Sequence, residues 1–228
     1  MRVLSVALAA LIVVSLSGVA QKKAELKTQN QKASYGIGLN IGKNLKEQFP
    51  EVDFNALSRG LKDAIAGAKP AMSDSALAAC MAEFQQEMGQ KKGEQQAALT
   101  AKNRKEGQAF LAANGAKEGV VTLPSGLQYK VIKEGTGPKP TAKDTVECNY
   151  RGTFIDGKEF DSSYKRGTPA KFVLGQVIPG WIEGLQLMSV GSKYEFYIPS
   201  NLAYGDPGGN GMPPSSTLIF EVELLGIK

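Results

Sequence analysis

The stretch "VIPGWIEGLQLMSVGSK" (177–193) carries the only tryptophan of the chain. A Pro-Gly pair leads into Trp181, and Trp181, Leu185 and Met188 then recur at helical spacing, so "GWIEGLQLM" predicts a short helix with one apolar side. Its neighbours alternate instead. "SGLQYKVIKEG" (125–135), "TVECNYRGTF" (145–154), "KFVLG" (171–175), "SKYEFYIP" (192–199) and "STLIFEVELLGI" (216–227) read as strands, with "DGK" (156–158) as a turn. In the last run Leu218, Phe220, Val222 and Leu224 share one face, while Glu221 and Glu223 share the other. One face of an antiparallel sheet is therefore buried and the other solvated, and the lone helix can lie across the apolar face.

Upstream of about residue 120 the composition changes to alanine, lysine, glutamine and glutamate, with little proline, and the pattern becomes helical. Tyr35, Gly38, Leu39, Gly42, Leu45 and Phe49 form one stripe. Phe54, Leu57, Leu61, Ala64 and Ile65 form a second, with Asp53 as its N-cap and Gly67 at its end. A third helix is expected from Ser73 to Asn114, stopped by Gly115 and roughly 60 Å long. Leu77, Cys80, Met81, Phe84 and Met88 give its first part an apolar stripe. Its second part, "GQKKGEQQAALTAKNRKEGQ", is polar nearly all round and reads as an exposed arm. A helical core of roughly 60 residues is small enough to need a partner, so a homodimer through residues 30–90 is expected. The alternative is a monomeric three-helix bundle on a stalk.

Composition also excludes chemistry. The chain has no histidine, which removes histidine-based triads, Cys-His dyads and nearly all zinc sites. Cys80 and Cys148 form no CxxC pattern and read as two free thiols. A net charge of +5 with scattered lysines argues against a nucleic-acid partner. Arg2 followed by the apolar run "VLSVALAALIVVSLSGVA" reads as a secretory signal, cleaved after Ala20, that exports a soluble protein. An uncleaved anchor is the alternative. The expected organisation is 1–20 signal peptide, 21–115 helical dimerisation domain with a long connecting helix, and 116–228 sheet domain. The class is α+β.

The ordered blocks "YRGTF", "DGKEFDSS", "FVLGQVIPGWIEGLQLMSVGSK", "LAYGD" and "PPSSTLIFEVELL" resemble FKBP-type peptidyl-prolyl cis-trans isomerases over about residues 120–228. The helical half, through "SYGIGLNIGKNL", "DFNALSRGLKDAIAG" and "FQQEM", resembles the dimerisation domain of long bacterial members of the macrophage infectivity potentiator (Mip) type. The resemblance implies a rotamase without cofactor or metal, acting on proline-containing unfolded or partly folded polypeptides in the periplasm or at the cell surface. It implies a proline pocket floored by Trp181 and walled by Tyr150, Phe160, Val177, Ile178 and Phe220. Tyr204 would donate its hydroxyl to a substrate carbonyl, and Asp161 would set the field near the rotating amide. Arg166 would pair with Asp161, and Met212 would sit in the overhanging loop 206–214. The catalytic set is then Asp161, Tyr204, Phe160 and Trp181. Ala170 stands where small family members have an aromatic residue, and Gly211 where they have a bulkier one, so one rim is more open and the fit of macrolide inhibitors changes. A non-catalytic chaperone gripping proline segments, or a host-interaction factor, is the alternative.

Overall fold

The computed structural model describes residues 25–49 and 51–228; the expected signal segment 1–20 lies outside them. By internal contact the chain divides into a unit ending at Asp74 and a second unit, Ser75–Lys228.

The first unit holds helices α1 (Gln29–Gln48) and α2 (Phe54–Ala66). Thr28 opens α1 with a capping box: its side chain accepts from the Gln31 N–H, and the Gln31 side chain accepts from the Thr28 N–H. Asp53 caps α2 as expected, accepting from the Asn55 and Ala56 amides, and Gly67 closes it in the left-handed conformation. No described residue up to Asp74 is buried. Tyr35 of α1 is 55% exposed, and Phe54 and Ile65 of α2 are 72% and 80%, so apolar residues of both predicted stripes are in water in the single chain.

The second unit opens on α3 (Asp74–Gly115), all but its first residue, and the helix lies within one residue of the expected bounds at each end. Its first turns leave Leu77, Met81 and Phe84 exposed. Its last turns do not form a free arm. Gly107 and Asn114 are buried, the Phe110 ring lies 6.1 Å from Tyr197, and Asn114 donates to Gln128 at 3.0 Å. The stretch 89–108 that reads as an exposed arm is indeed mostly exposed, but Gly107 is buried and Asn103 is half-buried, so the arm touches the sheet domain near its end.

That domain has seven strands: β1 (Val120–Thr122), β2 (Gln128–Lys133), β3 (Thr145–Phe154), β4 (Glu159–Ser162), β5 (Ala170–Val173), β6 (Lys193–Ile198) and β7 (Leu218–Ile227). They pair antiparallel in the order β1-β2-β6-β7-β3-β4, with β5 also on β3. The short strands β1 and β4 and the four-residue helix α4 (Ser163–Arg166) add to the elements expected from alternation. Helix α5 (Pro179–Leu185) starts on its proline, which supplies the preset φ of a first helical residue. It lays Trp181 and Leu185 on the sheet, and Met188 follows in the turn beyond. Leu218, Phe220, Val222 and Leu224 of β7 meet them from below, all buried. Cys148 is buried in the same core, and burial pushes its thiol up to about 12; Cys80 is exposed on α3, and both are free thiols.

Leu185 is fully buried in this core. Leu185→Ala is expected to destabilise the second unit by about 2–5 kcal/mol, the cost of lost transfer plus a cavity, read as a lower urea midpoint. A shift under about 0.5 kcal/mol contradicts this packing.

Candidate functional site

Strand β3 positions the site because it pairs on both edges. Gly152 stands opposite Asp161 of β4 on one side and Phe220 of β7 on the other. A Cβ at Gly152 would lie 2.6 Å from the Phe160 ring and 2.9 Å from the Phe220 ring, so only glycine lets the two rings close over the strand. They meet edge to face at 5.4 Å. Trp181 enters from α5 and makes edge contacts with Tyr150 at 5.3 Å, Phe172 at 5.3 Å and Phe220 at 5.2 Å. Such near-perpendicular pairs set the positive edge of one ring on the negative face of another, which fixes orientation as well as burial.

These rings form the floor and walls of an open cavity of about 670 Å³. It brings together Tyr150, Phe160, Asp161, Val177, Ile178, Trp181, Tyr204, Met212 and Phe220. Arg166 stands behind the wall. Phe172, Gln176 and Asn210 also line the cavity and are absent from the sequence-derived set. Phe172 was detectable: it lies in a predicted strand, two residues along the same face from Ala170. Asn210 and Gln176 carry no such signal: Asn210 reaches the cavity from a two-residue turn and Gln176 from a single turn of 3-10 helix, both too short for a period.

The polar wall is a three-membered cluster. The Tyr150 hydroxyl donates to Asp161 Oδ2, Arg166 Nη1 donates to Asp161 Oδ1, and Arg166 Nη2 donates to the Tyr150 oxygen at 2.7 Å. The guanidinium also lies 5.3 Å from the centre of the Tyr150 ring. Local folding sets this geometry. Ser162 caps α4, which swings Arg166 back, and the buried Ser163 hydroxyl accepts from the Tyr150 amide at 2.9 Å, tying α4 to β3. The Ser162 amide donates to Asp161 at 2.8 Å, so this carboxylate serves a turn and faces the cavity at once.

Burial pushes the Asp161 carboxyl up, but hydrogen bonds from Tyr150 and Arg166, the guanidinium charge and the Ser162 amide outweigh it and hold it below the usual carboxylate range. Burial and the bond to Asp161 push the Tyr150 phenol up. At neutral pH the wall is therefore a carboxylate, a neutral phenol and a guanidinium, with no group titrating nearby. Such a site offers no nucleophile and no proton shuttle; it offers a shaped apolar floor and one fixed field.

Residues 137–225 match the family model described as FKBP-type peptidyl-prolyl cis-trans isomerase, and residues 30–131 match the domain amino terminal to FKBP-type peptidyl-prolyl isomerase. The chain is 41% identical to an outer membrane protein MIP of Legionella longbeachae, over 95% of this chain and 94% of that protein. It is 45% identical to the FKBP-type 22 kDa peptidyl-prolyl cis-trans isomerase of Escherichia coli, over 88% of this chain and 96% of that one. In three dimensions it is similar to the crystal structure of FkpA from Escherichia coli, with a TM-score of 0.71 and 39% identity over 90% of this chain and 99% of that chain.

Because the folded carboxyl of Asp161 lies below its unfolded value, its contribution to stability is complete above about pH 4 and lost as pH falls through the folded value. Carbon-detected NMR titration should place the Asp161 midpoint below about 3.9. Arg166→Ala should move it upward; a midpoint that stays put removes the guanidinium from the cluster.

Proposed function

The chain belongs to the FKBP-type peptidyl-prolyl cis-trans isomerases, and we propose that it turns X-Pro bonds of exported, incompletely folded proteins in the cavity above Trp181, as a homodimer. The observation that carries the site is the convergence of five aromatic rings, Tyr150, Phe160, Phe172, Trp181 and Phe220, on one open cavity with a single anionic wall residue.

The reaction needs nothing the chain lacks. Amide resonance sets a barrier of about 18–20 kcal/mol to rotation, and no bond is broken. The twisted amide has lost resonance, and its carbonyl carries less negative charge. A dry apolar cavity therefore penalises it less than the planar, more polar ground state, which is differential binding of the transition state. Trp181 would lie under the proline ring, with Val177, Ile178, Phe160 and Phe220 around it. Tyr204 would hold a substrate carbonyl, and Asp161 would present its charge to the rotating amide at a position that Tyr150 and Arg166 fix. The smaller residues Ala170 and Gly211 leave one rim open, which weakens the grip on bulky macrolide inhibitors.

The outward stripes of α1 and α2, with Leu77, Met81 and Phe84 of α3, support dimerisation: a second copy buries apolar surface that the single chain leaves in water. Residues 21–115 then serve as dimerisation domain and connecting helix, and 116–228 as isomerase domain. Two cavities in one assembly could hold a client at two points and add avidity to weak sites. Export rests on the apolar leader with cleavage after Ala20, and the mature protein would act in the periplasm or at the outer membrane. No helix among the described residues is long and apolar enough to cross a membrane.

Asp161→Ala is expected to lower kcat/KM for a short X-Pro peptide on the order of tenfold, equivalent to about 1.4 kcal/mol of transition-state stabilisation. A variant as fast as the parent refutes the assigned role, and retained suppression of client aggregation would place chaperoning outside the cavity. Mature protein should sediment as a dimer at micromolar concentration, and Ile65→Glu should shift it towards monomer. A parent chain that sediments as a monomer ends the dimer reading.

A further inference from the structure

The loop that overhangs the cavity is clasped at both ends by one face of α3. Arg104 Nη2 meets Asp206 Oδ2 at 2.5 Å, and the other Asp206 oxygen accepts from the Ser215 hydroxyl at 2.6 Å. Asn103 donates to the Pro214 carbonyl at 2.8 Å, and Gln96 donates to the Pro207 carbonyl at 3.4 Å. Ser215 closes the loop's stem by donating its amide to the Gly205 carbonyl at 3.0 Å. Just beyond, Gly107 is buried against Thr217, whose hydroxyl would lie 2.3 Å from any Cβ placed there, so the helix runs at the closest spacing a backbone allows. Gln96, Asn103, Gly107 and Phe110 fall on one helical stripe at spacings of seven, four and three residues.

Between the clasped ends lie the residues that close the cavity. Tyr204 stands next to the stem. Asn210 and Gly211 form a two-residue turn with both φ positive (51° and 81°), closed by reciprocal amide bonds between Gly209 and Met212 of 3.2 and 2.9 Å. Asn210 and Met212 reach the cavity from this turn. The turn closes on these two amide bonds, and both stems on which it stands are bonded to α3, so its place over Trp181 depends on the helix.

We propose that Arg104 and Asn103 are positioning residues for isomerisation, holding the 205–215 loop through Asp206 and Pro214 so that Tyr204 and Met212 sit over the bound proline. This rests on the reading of the cavity as the proline site. The last turns of α3 then belong to the isomerase machinery as well as to the connection. Arg104 and Asp206 are 50% and 58% exposed, and an ion pair so placed adds little to global stability. Its effect falls on the loop, where one carboxylate joins the helix to the far stem; Arg104 and Ser215 accordingly hold the Asp206 carboxyl below its usual range.

The test uses the mature full-length protein, a short X-Pro peptide and amide hydrogen exchange. Arg104→Ala should lower kcat/KM roughly three- to tenfold and speed exchange at 208–212, while the melting temperature moves by less than about 2 °C. Arg104→Lys, which keeps a cationic donor, should recover most of the rate. Lys105→Ala, which removes a neighbouring exposed charge, should leave rate and exchange unchanged. Parental rate and exchange in Arg104→Ala overturn the proposal, as does equal loss in Arg104→Ala and Arg104→Lys. A Trp181→Ala chain that keeps its full rate overturns the cavity reading itself, and the proposal with it.

Discussion

One strand has to satisfy three neighbours at once. β3 is paired along its whole length by β7, while its other edge is shared between β5 at one end and β4 at the other. The changeover brings two sheet edges and the floor helix to the same place, and Gly152 is where side-chain volume must vanish for the rings above it to meet. Tyr150 rises from this strand, Phe160 and Asp161 face it from β4, Phe172 from β5 and Phe220 from β7. The cavity is thus a by-product of strand order, and the helix beneath supplies Trp181 at a height fixed by core packing.

The polar wall follows a similar economy. Asp161 is a partly exposed carboxylate on an aromatic face, an environment that by burial alone would favour the neutral acid. Three donors and a positive charge reverse that, and all come from within a few residues of Asp161 or from the strand opposite. The wall therefore presents a constant charge to whatever occupies the cavity. For a reaction that redistributes charge within an amide without transferring a proton, a field that does not titrate suits the chemistry.

Much of this was legible in the sequence, for physical reasons that also mark the limit. Trp181, Leu185 and Met188 announce themselves because one apolar side of a helix has a fixed period, and Leu218 to Leu224 because a half-buried strand alternates. The aromatic set was readable as an ordered series of motifs. Strands β1 and β4 were not, since β1 has only three residues and β4 runs straight into a helix and pairs across a bulge. Nor was the docking of α3. Gln96, Asn103, Arg104 and Asn114 dock through hydrogen bonds and Gly107 through a close backbone approach, and hydrophobic patterning scores all five as solvent. The Arg166–Asp161 pair was expected, but its geometry depends on how a four-residue helix is capped, which spacing alone leaves open.

The two thiols of the chain differ by environment. Cys148 lies in the sheet core with its thiol pushed up to about 12, so at neutral pH it stays protonated and supplies no reactive thiolate. Cys80 is exposed on α3. An oxidant, a soft metal or a maleimide dye therefore finds a single address, and finds it open only while the neighbouring stripe of Leu77, Met81 and Phe84 is not covered by a second copy. Fluorophores attached there would report on the helical end of the chain while leaving the sheet core chemically silent.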